Sequence, residues 1–186
     1  KKEQVDFLFS WSTNEPCGPL KNERHQDVLE SLRVMRKIQD QNGERACHRF
    51  IISNCRGVLD VAAVDALTRS VGADQLPAVD IVPLFETIAD LDGAHNEMQA
   101  LYAHPEYSKH LEARGERQTV MLGFSDGTKD GGYLRANWAI YQSKQALSKV
   151  ARAAGITVLF FDGRGGPPAR GGGNTHRFYA SLGKDI

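Results

Sequence analysis

The chain has 186 residues, within the size of one domain and long enough to bury a core. Hydrophobic residues make up 41% and charged residues 25%, an ordinary globular composition. Lys plus Arg is 23 and Asp plus Glu is 23, so the net charge of zero argues against a general nucleic-acid or membrane-surface binder and makes any anion site a local one.

The opening KKEQVDFLFSW lacks an initiating Met and reads as the interior of a longer protein, so a fragment is expected. No apolar run approaches the roughly 20 residues of a membrane helix, and no stretch reads as a charged-then-apolar leader. Cys17, Cys47 and Cys55 are odd in number and lack a finger spacing. They read as reduced thiols, which points to the cytoplasm. Cys47 and His48 are too few ligands for zinc.

Taken in chain order, residues 22–41 carry Val28, Leu29, Leu32, Met35 and Ile38 at helical spacing, with Gly43 just beyond. RFIIS, residues 49–53, predicts a buried strand. Residues 58–71 predict a helix stopped by Gly72. VDIVPLF, residues 79–85, predicts a second strand, with Pro83 near its end, where a missing ladder donor is tolerated best. Helices are expected over 87–102 and 104–113. TVMLGF, 119–124, predicts a third strand, residues 133–154 a long helix ended by Gly155, and ITVLFF, 156–161, a fourth strand. A short helix is expected to start near Asn174. Trp138 and Tyr141 read as packing residues, and His25, His95, His104 and His110 as solvated. His176 and Arg177 fit either a helix cap or a ligand contact.

Apolar strands alternating with helices imply an α/β fold with a parallel sheet under helical cover. Four such units fit half of a closed (β/α)8 barrel or an open doubly wound sheet. No repeat or low-complexity linker marks a boundary, so residues 1–186 read as one unit of about four βα repeats.

The polar and glycine-rich stretches follow the strands: Glu86 after the second, SDGTKDGG (125–132) after the third, DGRGGPPARGGG (162–173) after the fourth. Sites in such folds form at the carboxyl ends of strands, so these segments should converge. Glycine lets backbone amides approach a ligand, as an anion-binding nest does, and Arg164 and Arg170 bring planar forks suited to phosphate or carboxylate. Glycine content alone favours a disordered surface loop with two solvated arginines, but two arginines after a buried strand, stiffened by Pro167 and Pro168, favour an anion site. The GK[ST] ending of a P-loop is missing, and so is GxGxxG opening a helix after the first strand. Asp126, Lys129 and Asp130 fit a plain polar turn or a cation site. Glu86 fits a ligand or the first-turn acid of the next helix. Together, Glu86 and Asp126 suit Mg²⁺ or Mn²⁺, beside one lysine, two arginines and the amides of residues such as Gly165 and Gly166. That set suits a small, multiply charged anion such as a phosphorylated carboxylate.

The segments PLFETIADL, MLGFSDGTKDGGYLRANWAIYQSKQAL and FFDGRGGPPARGGG resemble phosphoenolpyruvate carboxylase, from about Arg49 to the end. The resemblance implies part of a (β/α)8 barrel with extra helices, cytoplasmic and a homo-oligomer, as a tetramer, when whole. It implies a lyase of carbon dioxide fixation that feeds the tricarboxylic acid cycle by joining bicarbonate to phosphoenolpyruvate, giving oxaloacetate and phosphate with Mg²⁺ or Mn²⁺. Bicarbonate attacks the phosphate to give carboxyphosphate and an enolate. Carboxyphosphate releases CO₂, which the enolate attacks. Glu86 and Asp126 match the family's metal carboxylates, Lys129 its motif lysine, and Arg164 and Arg170 its loop arginines. Arg164 would grip phosphate, and Arg170 would stabilise carboxyphosphate and bind an inhibitor such as aspartate or malate.

Two departures stand out. Many members have a histidine before GRGG where this chain has Asp162, an acid that disfavours an anion unless it faces away or pairs with an arginine. Family chains are also several times longer and carry further catalytic residues, so these 186 residues alone are expected to be inactive. The loop over 163–173 is expected to be poorly ordered without ligand. The competing reading is a non-catalytic anion-binding or regulatory module. A different phosphate-handling barrel enzyme is a third.

Overall fold

The computed structural model describes residues 2–12, 18, 21–163, 174, 176–177 and 180. Their order is α1 (Lys2–Phe9), α2 (Glu23–Asn42), β1 (Arg49–Ile52), α3 (Val58–Arg69), β2 (Asp80–Phe85), α4 (Ile88–Tyr102), α5 (Pro105–Ala113), β3 (Arg117–Leu122), α6 (Ser125–Ala153) and β4 (Thr157–Asp162). The strands form one sheet in the order β1-β2-β3-β4, with β2 parallel to β3 and β3 parallel to β4. The protein is therefore α/β, its parallel strands separated by helices, an arrangement consistent with part of a barrel.

The residues divide into two compact units, Lys1–Phe50 with Val58–Ile81, and Ile51–Gly57 with Val82–Ile186. In the first, α1 packs on α3 through buried Val5 and Phe9. The sequence reading missed α1, whose apolar spacing covers barely two turns. Arg69 supplies what α1 lacks locally: its Nη2 donates to the Leu8 carbonyl at 3.1 Å, satisfying one of the orphan acceptors at that helix end. Helix α2 begins where expected, because the Asn22 side chain accepts the amides of Arg24 and His25. Its Leu29 and Leu32 bury against Val71 and Phe50. Buried Gln39 donates to the Cys47 and Ala78 carbonyls at 2.6 and 2.8 Å and accepts the Ala78 amide at 2.9 Å, so its amide group is satisfied on both sides.

In the second unit, α4 and α6 pack against each other, and α6 against β4. The buried stripe of α4 is Leu91, Ala94, Met98 and Leu101, and that of α6 is Ala136, Ala139, Ile140, Ser143 and Leu147, both at helical spacing. Pro83 does not sit near a strand end as expected. It is buried within an inner strand, and the ladder of β2 with β3 begins one residue later, at Leu84↔Met121, so its missing donor falls before the pairing. His25 is exposed as expected. His95, His104 and His110 are half-buried rather than solvated, and His110 stacks on buried Tyr107 at 5.3 Å. Trp138 is also less enclosed than its packing role predicts: it is 53% exposed, with the Tyr141 ring stacked 5.6 Å away. No helix among the described residues is long and apolar enough to cross a membrane.

Candidate functional site

Parallel pairing puts the carboxyl ends of β2, β3 and β4 on one edge of the sheet. There the backbones close tightly. The Gly123 amide donates to the Phe85 carbonyl at 2.7 Å, and the Gly163 amide to the Leu122 carbonyl at 2.8 Å. A Cβ on Gly123 would meet the Glu86 Cα at 2.9 Å, and one on Gly163 the Leu122 oxygen at 2.9 Å. Both obstacles are backbone, so neither yields to a side-chain rotation, and glycine is required by contact.

Glu86 follows β2 directly. Its Oε2 accepts the Asn54 amide at 2.8 Å. Asn54 has φ 52°, a left-handed conformation that asparagine tolerates better than most residues, and the next amide, on buried Cys55, donates to the Leu84 carbonyl at 3.1 Å. The segment after β1 is thereby stitched to the end of β2, with one N–H aimed at the carboxylate. Nothing in the sequence reading singled out Asn54. The available signal was an asparagine just past a strand.

SDGTKDGG is not a loop. Residues 125–132 form the first turns of α6, whose backbone leaves helical geometry only at Gly132, with φ 77° and ψ 167°. Glycine content suggested a turn, but a Cβ placed on Gly127 would lie at ordinary contact distance from the Glu86 carbonyl (3.4 Å) and Ala136 Cβ (3.7 Å), so this glycine is not required by space and the segment is helical all the same. Asp126 lies in the first turn, where the positive end of the helix dipole favours an acid. Its Oδ1 accepts from Lys129 Nζ at 3.0 Å. Asp130 turns elsewhere: its Oδ2 accepts the Ile88 amide at 3.3 Å and so satisfies a donor at the start of α4. That helix also carries a capping box between Thr87 and Asp90. Of the motif's charged groups, Asp126 and Lys129 pair with each other, while Asp130 anchors structure.

Asp162 closes β4. Its register with fully buried Leu122 puts it on the helix-covered face. Lys144 of α6 meets it there, Nζ lying 2.8 Å from Oδ1 and 3.0 Å from Oδ2. The acid has its cation, a lysine rather than an arginine. Lys144 was also missed, although a lysine on the buried Ile140–Ser143–Leu147 stripe calls for a buried acid. Arg164, Arg170, Gly165 and Gly166 lie outside the described residues, as does the segment for which poor order was expected, apart from Gly163. Past it, His176 and Arg177 are helical, and the Arg177 amide donates to Asn174 Oδ1 at 3.0 Å, in keeping with a helix starting near Asn174.

Glu86 thus follows β2, and Asp126 with its paired Lys129 follows β3, at the carboxyl ends of two neighbouring parallel strands. Among the described residues each carboxylate leaves its second oxygen open to a further ligand, and no group of three or more His, Cys, Asp and Glu forms a ready metal cage. The carboxyl ends of strands are where α/β folds commonly build ligand sites. A family model described as Phosphoenolpyruvate carboxylase matches residues 5–182. The chain belongs to that family. It is 41% identical over 160 residues to the phosphoenolpyruvate carboxylase of Chromobacterium violaceum, covering 83% of this chain and 18% of the relative. Against that of Corynebacterium diphtheriae it is 46% identical over 134 residues, covering 72% and 14%. Against that of Synechococcus sp. it is 37% identical over 169 residues, covering 87% and 16%. The chain spans less than a fifth of the length of these curated relatives.

Proposed function

We propose that this chain is the carboxylate- and arginine-bearing part of the (β/α)8 barrel of a phosphoenolpyruvate carboxylase, one unit of about four βα repeats across residues 1–186. The whole enzyme, cytoplasmic and tetrameric, forms oxaloacetate and phosphate from phosphoenolpyruvate and bicarbonate. The observation that carries this reading is the placement of Glu86 and Asp126 at adjacent strand ends within a chain of that family.

The two carboxylates fit Mg²⁺ or Mn²⁺: both are oxygen donors, and each retains an oxygen beyond its own hydrogen bond. When bound, such an ion would neutralise the negative charge that develops on the reacting oxygens. The chain's own groups do the rest. The Asn54 amide orients Glu86, so that its Oε1 faces the ligand role. Lys129 balances Asp126 and offers a second cation to an anionic substrate. Arg164 grips the phosphate, with the amides of Gly165 and Gly166 beside it. Arg170 stabilises carboxyphosphate while CO₂ is released, and an aspartate- or malate-type inhibitor competes there. Positioning and fixed charge account for most of the catalysis in this scheme.

The test is a coupled assay on the full-length protein with phosphoenolpyruvate, bicarbonate and Mg²⁺, reading oxaloacetate through malate dehydrogenase. Activity that falls by about a hundredfold or more in Arg170→Ala supports the reading. Folded full-length protein that makes no oxaloacetate overturns it and leaves a non-catalytic anion-binding module. The 186-residue chain by itself is expected to be inactive in the same assay.

A further inference from the structure

We propose that Lys144 is a positioning residue for substrate binding: it pins Asp162 to the helix-covered face of the sheet and neutralises it, fixing the end of β4 from which the arginine-bearing segment departs. This rests on the carboxylase reading above. The pair is enclosed. Lys144 is 4% exposed, among buried Ile140, Ser143, Leu147 and Ser148, and its ammonium stands 5.7 Å from the Phe160 ring centre. A buried charge of this kind needs a partner, and Asp162 supplies it: Oδ2 accepts the lysine's hydrogen bond, while Oδ1 lies at ion-pair distance without a hydrogen bond of its own.

What the pair controls follows from strand geometry. Side chains alternate along β4: Leu159 and Phe161 are on the exposed face, Phe160 and Asp162 on the helix side. A one-residue slip at the end of β4 would bring the carboxylate to the face where Phe161 stands. The acid would then lie two residues before Arg164 with its charge uncancelled, opposing a phosphate at that end of the sheet. The bond from Lys144 opposes the slip, and Gly163 tolerates none, because its amide and its missing Cβ both abut the Leu122 carbonyl. Asp162 is therefore held as a fixed, neutralised anchor.

The experiment uses the full-length protein in the coupled assay, with folding of each variant checked by circular dichroism. Lys144→Met is expected to raise KM for phosphoenolpyruvate about tenfold while kcat stays within about threefold. Should that variant not fold, Asp162→Glu decides, because it keeps both charges and shifts where they meet. A rise in its KM of about threefold or more with kcat retained supports the inference. An unchanged KM in the folded variant that decides, whatever its melting temperature, overturns the inference and leaves the pair structural only. A parent protein that makes no oxaloacetate overturns the carboxylase reading and the inference with it, whereas an active parent with an unchanged variant KM overturns the inference alone.

Discussion

Tyr102 ends α4 with its ring buried and its hydroxyl enclosed without a hydrogen-bond partner among the described residues. Burial alone pushes the ionisation of that hydroxyl well above its ordinary range. A raised folded value means that the native state holds its proton where the unfolded state, titrating near 10.0, gives it up. The associated stability is fully present below that pH and is lost as pH rises through it. Tyr102→Phe removes both the unsatisfied group and the titration. It is expected to stabilise the fold by about 1 kcal/mol at neutral pH and to flatten the decline of stability above pH 10. Urea unfolding at neutral and alkaline pH checks this, and a destabilised Phe variant would show that the hydroxyl has a partner after all. At this scale the sequence was readable where a contact is local, as where Lys129 meets Asp126 three positions away. It was opaque where the contact is non-local. Asn54 meets Glu86 through a backbone amide 32 positions away, and Lys144 meets Asp162 across 18.

Elements were legible where apolar spacing and caps agreed. Asn22 and Gly43 bracket α2, and the Thr87–Asp90 capping box opens α4 one residue from where the pattern suggested. They were misread where composition and packing disagreed. Two Asp-Gly pairs in SDGTKDGG suggest turns, yet the Thr128 amide and hydroxyl both donate to the Phe124 carbonyl and Lys129 pairs with Asp126 one turn back, so the residues lie in α6. The true departure is Gly132 alone, whose φ 77° and ψ 167° belong to a region reached essentially only by glycine. A Cβ there would meet nothing within 4 Å, so the penalty of Gly132→Ala is purely conformational. A loss of about 1–3 kcal/mol in chemical denaturation is expected. A gain would mean that the helix rewinds through the break.

For the whole molecule, alternation of strand and helix was enough to predict a parallel α/β sheet, and the strand order follows the sequence order. The two interleaved compact units were not predicted, because their segments swap within β1 and β2, where no composition changes. The edge strands leave apolar side chains open: Ile51 on β1, and Leu159 and Phe161 on β4. Such edges template further pairing. The 186-residue chain expressed alone is therefore expected to bind a hydrophobic dye and to sediment as concentration-dependent oligomers. Full-length protein should do neither at those strands, and a monomeric, dye-silent chain would contradict the expectation.

The break at Gly132 has a bearing on how far a substitution is felt. It works as a joint between a short arm that carries Asp126 and Lys129 and a long shaft that carries Ala136 through Ala151. A break of this kind uncouples the direction of the shaft from that of the arm. The arm keeps its own tie, to α4 through Asp130. Substitutions in the core of the shaft, Lys144 apart, are therefore expected to disturb the two charged groups of the arm less than substitutions within the arm itself.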